Sequence, residues 1–226
     1  PLRLVGSEMC IRDSANVFTT HYPDEERPVA RPLRTAPCYD RLKNLGAVFG
    51  QKFGWERANW FLPEPEKEKG KKAEYEYSWR RQNWFDYSAA EHMAVRQKVG
   101  MFDMSSFGKI KLIGRDAEAV LQIIAANDVA VPVGKIVYTQ FLNDDGHIEA
   151  DVTVTRLGLE EFLIVTPAAT IRRDLHWING HIPDNAYAIA IDVTVSESVL
   201  VVMGPEARTF LQPMIPQSLA NDDFAF

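Results

Sequence analysis

The chain has 226 residues, 46% of them hydrophobic and 25% charged, which is ordinary globular composition with room for one large domain or one and a half average ones. A formal net charge of −6 and an isoelectric point near 5.4 give no electrostatic footprint for nucleic acid or an anionic membrane surface. No run of about 18 apolar residues exists, so no membrane-spanning helix is expected.

The first residue is Pro rather than Met, and the chain is expected to be a piece of something longer. Residues 1–15 have no apolar signal-peptide core and join poorly to the residues after them; they are expected to be a non-native or disordered leader. Cys10 and Cys38 lie in dissimilar contexts without CxxC or metal-ligand spacing, which leaves disulfide and zinc readings unsupported and makes a reducing compartment the default. That compartment is the cytoplasm, or the mitochondrial matrix in a eukaryote.

Residues 16–83 form a first segment rich in aromatics and prolines. Pro37 to Leu45 with Gly46 after it predicts a short helix with Pro near its start and Gly at its stop. Phe49, Phe53, Trp55 and Trp60 then lie among glycines, and a loop anchored by aromatic burial is expected. Glu64 to Glu76 mixes both charges without an apolar stripe and reads as a solvated connection.

A second segment, residues 84–226, has clearer periodicity. Ser88-Ala89-Ala90-Glu91 is a capping box, predicting a helix from about Ala89 to Val99, with a loop over Gly100–Gly108 beyond it. Lys109–Ile113 alternates as a strand. Asp116 is placed to cap a helix whose face is Ala117, Val120, Leu121 and Ile124. Glu161–Val165 is a buried strand, and Thr166-Pro167 opens a helix with Ile171, Leu175 and Ile178 on one face. Two more strands, Ala188–Thr194 and Ser198–Met203, precede a last helix with Ala207, Phe210 and Leu211. Strands and helices in blocks with a hairpin argue an α+β fold rather than a doubly wound parallel sheet.

That hairpin spans Ile136–Thr155, turning at Asn143-Asp144-Asp145-Gly146. After the turn, Ile148, Ala150, Val152 and Val154 alternate with His147, Glu149, Asp151, Thr153 and Thr155, so one face is core. An alternating strand commonly shows water its polar side. Asp, however, is a poor strand former, and a carboxylate held on a rigid strand suits a ligand lying on the sheet, which makes Asp151 the first site candidate. A metal trio of His147, Glu149 and Asp151 lacks a further histidine in reach, so no metal is expected. GxGxxG, P-loop, GxSxG and HExxH motifs are all absent.

Four blocks, EHMAVRQKVGMFDMSSFGK, GRDAEAVLQIIAANDV, VYTQFLNDDGHIEADVTV and VMGPEARTFL, resemble in order the N-terminal half of the aminomethyltransferase-like folate-binding domain. This domain is shared by the glycine-cleavage T-protein and the dimethylglycine and sarcosine dehydrogenases. The stretch HYPDEERPVARPLRTAPCYDRLKNLGAVFGQKFGWERANWF is similar to the segment linking the flavin and folate domains of the dehydrogenases. The resemblance implies tetrahydrofolate as cofactor, FAD in a domain not carried here, and a small amine as substrate. It implies oxidation of an N-methyl amine to an iminium ion, then attack by a folate ring nitrogen to give methylene-tetrahydrofolate. Asp151 matches the family's essential carboxylate and Tyr138 a tyrosine of its pterin pocket. Phe107, in SSFG, stands where the T-protein carries the methionine of SHMG. The stop at Phe226 is expected to precede the second half of the folate domain. Two other readings are a stand-alone aminomethyltransferase of glycine cleavage, against which the linking segment argues, and a non-catalytic folate-domain-like binding module, against which intact Tyr138 and Asp151 argue.

Overall fold

The computed structural model describes residues 20–224, so the expected leader lies outside the described residues. In chain order the elements are α1 (Tyr39–Asn44), β1 (Ala47–Lys52), β2 (Trp55–Phe61), α2 (Glu64–Glu68), α3 (Phe85–Gln97) and β3 (Gly100–Asp103). Next come β4 (Gly108–Ile113), α4 (Ala117–Ile124), β5 (Ile136–Leu142), β6 (Ile148–Arg156), β7 (Glu161–Thr166) and α5 (Ile171–Gly180). The last are β8 (Ile189–Asp192), β9 (Leu200–Met203) and α6 (Ala207–Leu211). This α+β chain forms two compact units: Met104–Val199 is one, and the stretches up to Asp103 and from Leu200 make the other.

In the central unit, β5-β6-β7-β4-β8 form an antiparallel sheet of five strands. One face carries the core. Ile110, Leu112, Phe141, Ala150, Val152, Val154, Phe162 and Ile164 cluster there with Val120, Leu121 and Ile124 of α4 and Ile178 of α5. The predicted stripe of α4 is buried throughout; in α5 Ile178 is buried, with Ile171 and Leu175 partly buried against the same core. Asp116 does not cap α4 with its side chain; its Oδ2 instead accepts the Tyr187 N–H at 2.7 Å. The α5 helix starts later than Thr166-Pro167 suggested, with Thr170 preceding its first residue. Buried Asp174 accepts the hydroxyls of both Thr166 and Thr170.

The other unit holds the expected short helix α1 and, over residues 47–61, an antiparallel hairpin where a loop was expected. Lys52 pairs with Trp55 across a two-residue turn in which Phe53 and Gly54 have φ of +51° and +86°. That turn matches the twist of the strands but normally favours Asn-Gly, so a phenylalanine at its first position hid the hairpin. The charge run contains the single-turn helix α2. Helix α3 begins a turn before the capping box, and Glu91 Oε1 accepts the Phe61 N–H at 2.9 Å rather than closing the box. The expected loop after α3 contains β3, which pairs with β9 about a hundred positions on, a partner no local pattern reveals.

Candidate functional site

The β5–β6 hairpin holds the site candidates because its alternation sends one set of side chains to the core and the other outward. On β6, Ala150, Val152 and Val154 are buried while Asp151 is exposed. Ile148 shares their parity but is 67% exposed, because it lies at the strand end where the register shifts opposite Phe141 and Leu142.

Gln140 stands opposite Asp151, and Tyr138 stands opposite Thr153. Tyr138 and Asp151 are therefore diagonal neighbours on one face, within reach of a long aromatic side chain. The Gln140 Nε2 donates to Asp151 Oδ1 at 3.3 Å. Hydrogen bonding with the Asp151 carboxylate holds the Tyr138 hydroxyl above the usual tyrosine range; desolvation and like-charge repulsion act the same way and Gln140 opposes them. The ring of Tyr138 is 60% exposed, which leaves an aromatic face available beside the carboxylate.

The row through Tyr138 and Thr153 continues across the sheet to Val165 and Lys109. Lys109 is buried, and its Nζ donates to the Ser105 carbonyl at 2.8 Å. Phe107 is half-buried in the turn before β4, where its N–H donates to the Met104 carbonyl at 3.0 Å. The structure brings Tyr138 and Asp151 together; Phe107 lies by β4, separated from β6 by β7. Sequence reasoning missed Gln140, although the i, i+2 alternation from Tyr138 was enough to place it on this face. His147 precedes β6, and Glu149 Oε1 is taken by Asn143 Nδ2 at 3.2 Å.

No helix among the described residues is long and apolar enough to cross a membrane. The profile of the GCVT N-terminal domain matches residues 38–226. Over 206 residues the chain is 39% identical to 4-methylaminobutanoate oxidase (formaldehyde-forming) of Paenarthrobacter nicotinovorans, covering 91% of this chain and 24% of that protein. It is 35% identical over 207 residues to mitochondrial dimethylglycine dehydrogenase of Mus musculus, covering 91% and 23% respectively. The chain thus spans about a quarter of the length of these relatives. The crystal structure of glycine cleavage system aminomethyltransferase T from Bartonella henselae matches with a TM-score of 0.66 at 22% identity, covering 83% of this chain and 45% of that one. The shared architecture shows the same fold, and the profile match over most of its length establishes that the chain belongs to the GCVT N-terminal domain family.

Proposed function

We propose that the chain contributes the sheet floor of a tetrahydrofolate site to an FAD-dependent N-methyl amine oxidoreductase of the dimethylglycine or sarcosine dehydrogenase type, with Asp151 as its catalytic carboxylate. The observation that carries this reading is an exposed carboxylate on a rigid strand, flanked by Tyr138 and Gln140, with the core directly behind it. A polar cluster of this kind fits a pterin. The carboxylate accepts ring N–H groups, the Gln140 amide can donate or accept, and the exposed Tyr138 ring offers a stacking face.

Tetrahydrofolate supplies a nucleophilic ring nitrogen for capture of a one-carbon unit. The residues of this chain orient that ring and steady charge beside it. Asp151 offsets positive charge that develops at its oxygens' neighbours during the transfer, and its strand position fixes it without a reorganisation cost. Asp151 holds the Tyr138 hydroxyl above the usual tyrosine range, which favours the phenol as a hydrogen-bond donor beside the carboxylate. Phe107 would border the same face from the β4 side. The sequence carries no dinucleotide fingerprint, so no step on FAD is assigned to these residues.

The test uses the full-length protein. Asp151→Ala is expected to lower methylene-tetrahydrofolate production by about 100-fold or more while amine oxidation stays within about threefold. Equal loss of both activities, or loss of neither, overturns the assignment.

A further inference from the structure

The stretch of β6 that carries Asp151 is supported differently from the rest of the strand. Pairing of β6 with β7 runs from Thr153 to Arg156, so Asp151 lies beyond it and has only β5 as a ladder neighbour. The register with β5 also shifts here: Leu142 faces Ile148 and Phe141 faces Ala150, which leaves Glu149 with no residue opposite. An extra residue of this kind bends its strand and re-aims the side chains next to it. Asp151 follows two residues on.

Helix α5 supplies the support that β7 does not. Arg173 Nη2 donates to the Glu149 carbonyl, so the unopposed residue has a donor for its backbone oxygen. The guanidinium is itself held, its Nε donating to Asp174 Oδ1 at 3.2 Å. Asp174 is 1% exposed, and its Oδ2 accepts the hydroxyls of Thr170, at 2.6 Å, and of Thr166, the last residue of β7. From the turn side the Glu149 carboxylate accepts Asn143 Nδ2, while Asn143 Oδ1 accepts the Asp145 and His147 N–H groups at 3.1 and 2.9 Å. A buried carboxylate thus orients an arginine where β7 ends, and the arginine reaches β6 at its irregular residue. The Arg173 side chain is 58% exposed, so it adds little to the core behind the sheet.

We propose that Arg173 is the positioning residue of the candidate site: oriented by Asp174, it fixes the bend of β6 at Glu149 and so aims the Asp151 carboxylate at Tyr138 and Gln140. Its role is exerted through the Glu149 carbonyl, not by contact with a ligand. The consequence for one-carbon transfer rests on the folate reading, whereas the aim of Asp151 does not. Charge and geometry at Arg173 push the Tyr138 hydroxyl in opposite directions. A cation stabilises a phenolate, so losing the charge alone raises the Tyr138 midpoint. Turning Asp151 away lowers it, because hydrogen bonding with that carboxylate is the main cause holding the hydroxyl high.

In the 226-residue protein, Arg173→Met and Arg173→Ala are compared with Asp151→Asn by following the Tyr138 ring carbons against pH, with near-ultraviolet circular dichroism as the check of fold. Each arginine variant should lower the Tyr138 midpoint by at least about half of the fall caused by Asp151→Asn. In the full-length protein Arg173→Met should reduce methylene-tetrahydrofolate production about tenfold, short of the loss in Asp151→Ala. A midpoint that is unmoved or raised in a folded variant overturns the proposal and leaves the folate reading intact. Loss of fold in both variants also overturns it, since the arginine is then a structural tie. Full production in Arg173→Met where Asp151→Ala has lost it overturns it as well. A lowered midpoint beside an Asp151→Ala protein with normal production supports the aiming role and removes the folate reading.

Discussion

On the open face of the β5–β6 hairpin the Asp151 carboxylate bears directly on the Tyr138 hydroxyl, and hydrogen bonding between them favours the neutral phenol. The carboxylate stabilises the proton donor and repels the phenolate, so Tyr138 titrates above an ordinary tyrosine. Asp151→Asn should bring its midpoint down toward the usual value near 10, measured from tyrosine ring carbon shifts against pH. An unmoved midpoint would show that the two side chains do not interact.

Arg31 and Glu56 form a second test, of stability. Arg31 Nε donates to Glu56 Oε1 at 2.8 Å, and the Glu56 side chain is only 3% exposed. The pair raises the guanidinium pKa further, chiefly through the Glu56 hydrogen bond. Arg31→Met strands a buried carboxylate and should cost about 3 kcal/mol in urea unfolding monitored by tryptophan fluorescence. Adding Glu56→Met should recover most of that loss.

Glu91 yields a pH dependence. Desolvation pushes its carboxyl up, with the Phe61 N–H opposing. A group with a raised folded-state pKa gives stability that is full below its unfolded pKa and lost as pH rises through the folded value. Glu91→Gln keeps an oxygen for Phe61 while removing the charge. It should flatten the fall in unfolding midpoint as pH rises above the ordinary glutamate value near 4.3 and be neutral or mildly stabilising at pH 7, by less than about 1 kcal/mol because the group is half solvated.

Gly114 gives a steric test. Its φ is +139°, and a Cβ there would lie 2.0 Å from the Tyr187 carbonyl oxygen, while Tyr187 is itself tied to Asp116 through its N–H. Gly114→Ala should destabilise by about 2 kcal/mol or more, seen as an early loss of amide protection in α4 and β8. Gly134, with no atom within 4 Å of its would-be Cβ, serves as the comparison for strain at positive φ alone.

The parts of the fold that sequence could show were those in which periodicity and burial agree, such as the stripe Ala117, Val120, Leu121 and Ile124, and the alternation through Val152 and Val154. The outward position of Asp151 was legible for the same reason, as a strand carboxylate between residues of a core pattern. Other features depended on partners far along the chain. The strand Gly100–Asp103 exists because Leu200–Met203 pairs with it, and Glu91 left its capping box because the Phe61 N–H was in reach. The hairpin at Phe53-Gly54 was hidden by a bulky residue in a left-handed turn position. Alternation from Tyr138 puts Gln140 on the open face, but its place directly opposite Asp151 is a matter of pairing register, which local alternation does not fix between strands.

Asp151 sits between Ala150 and Val152, both pointing into the interior. Sliding β6 by a single residue would drive its carboxylate inward and turn two apolar neighbours out to water. Loss of the outward carboxylate by misalignment would thus be accompanied by partial collapse of the interior. A folded protein in this family segment therefore reports, by being folded, that the carboxylate is aimed outward, and selection on stability alone is enough to keep it there.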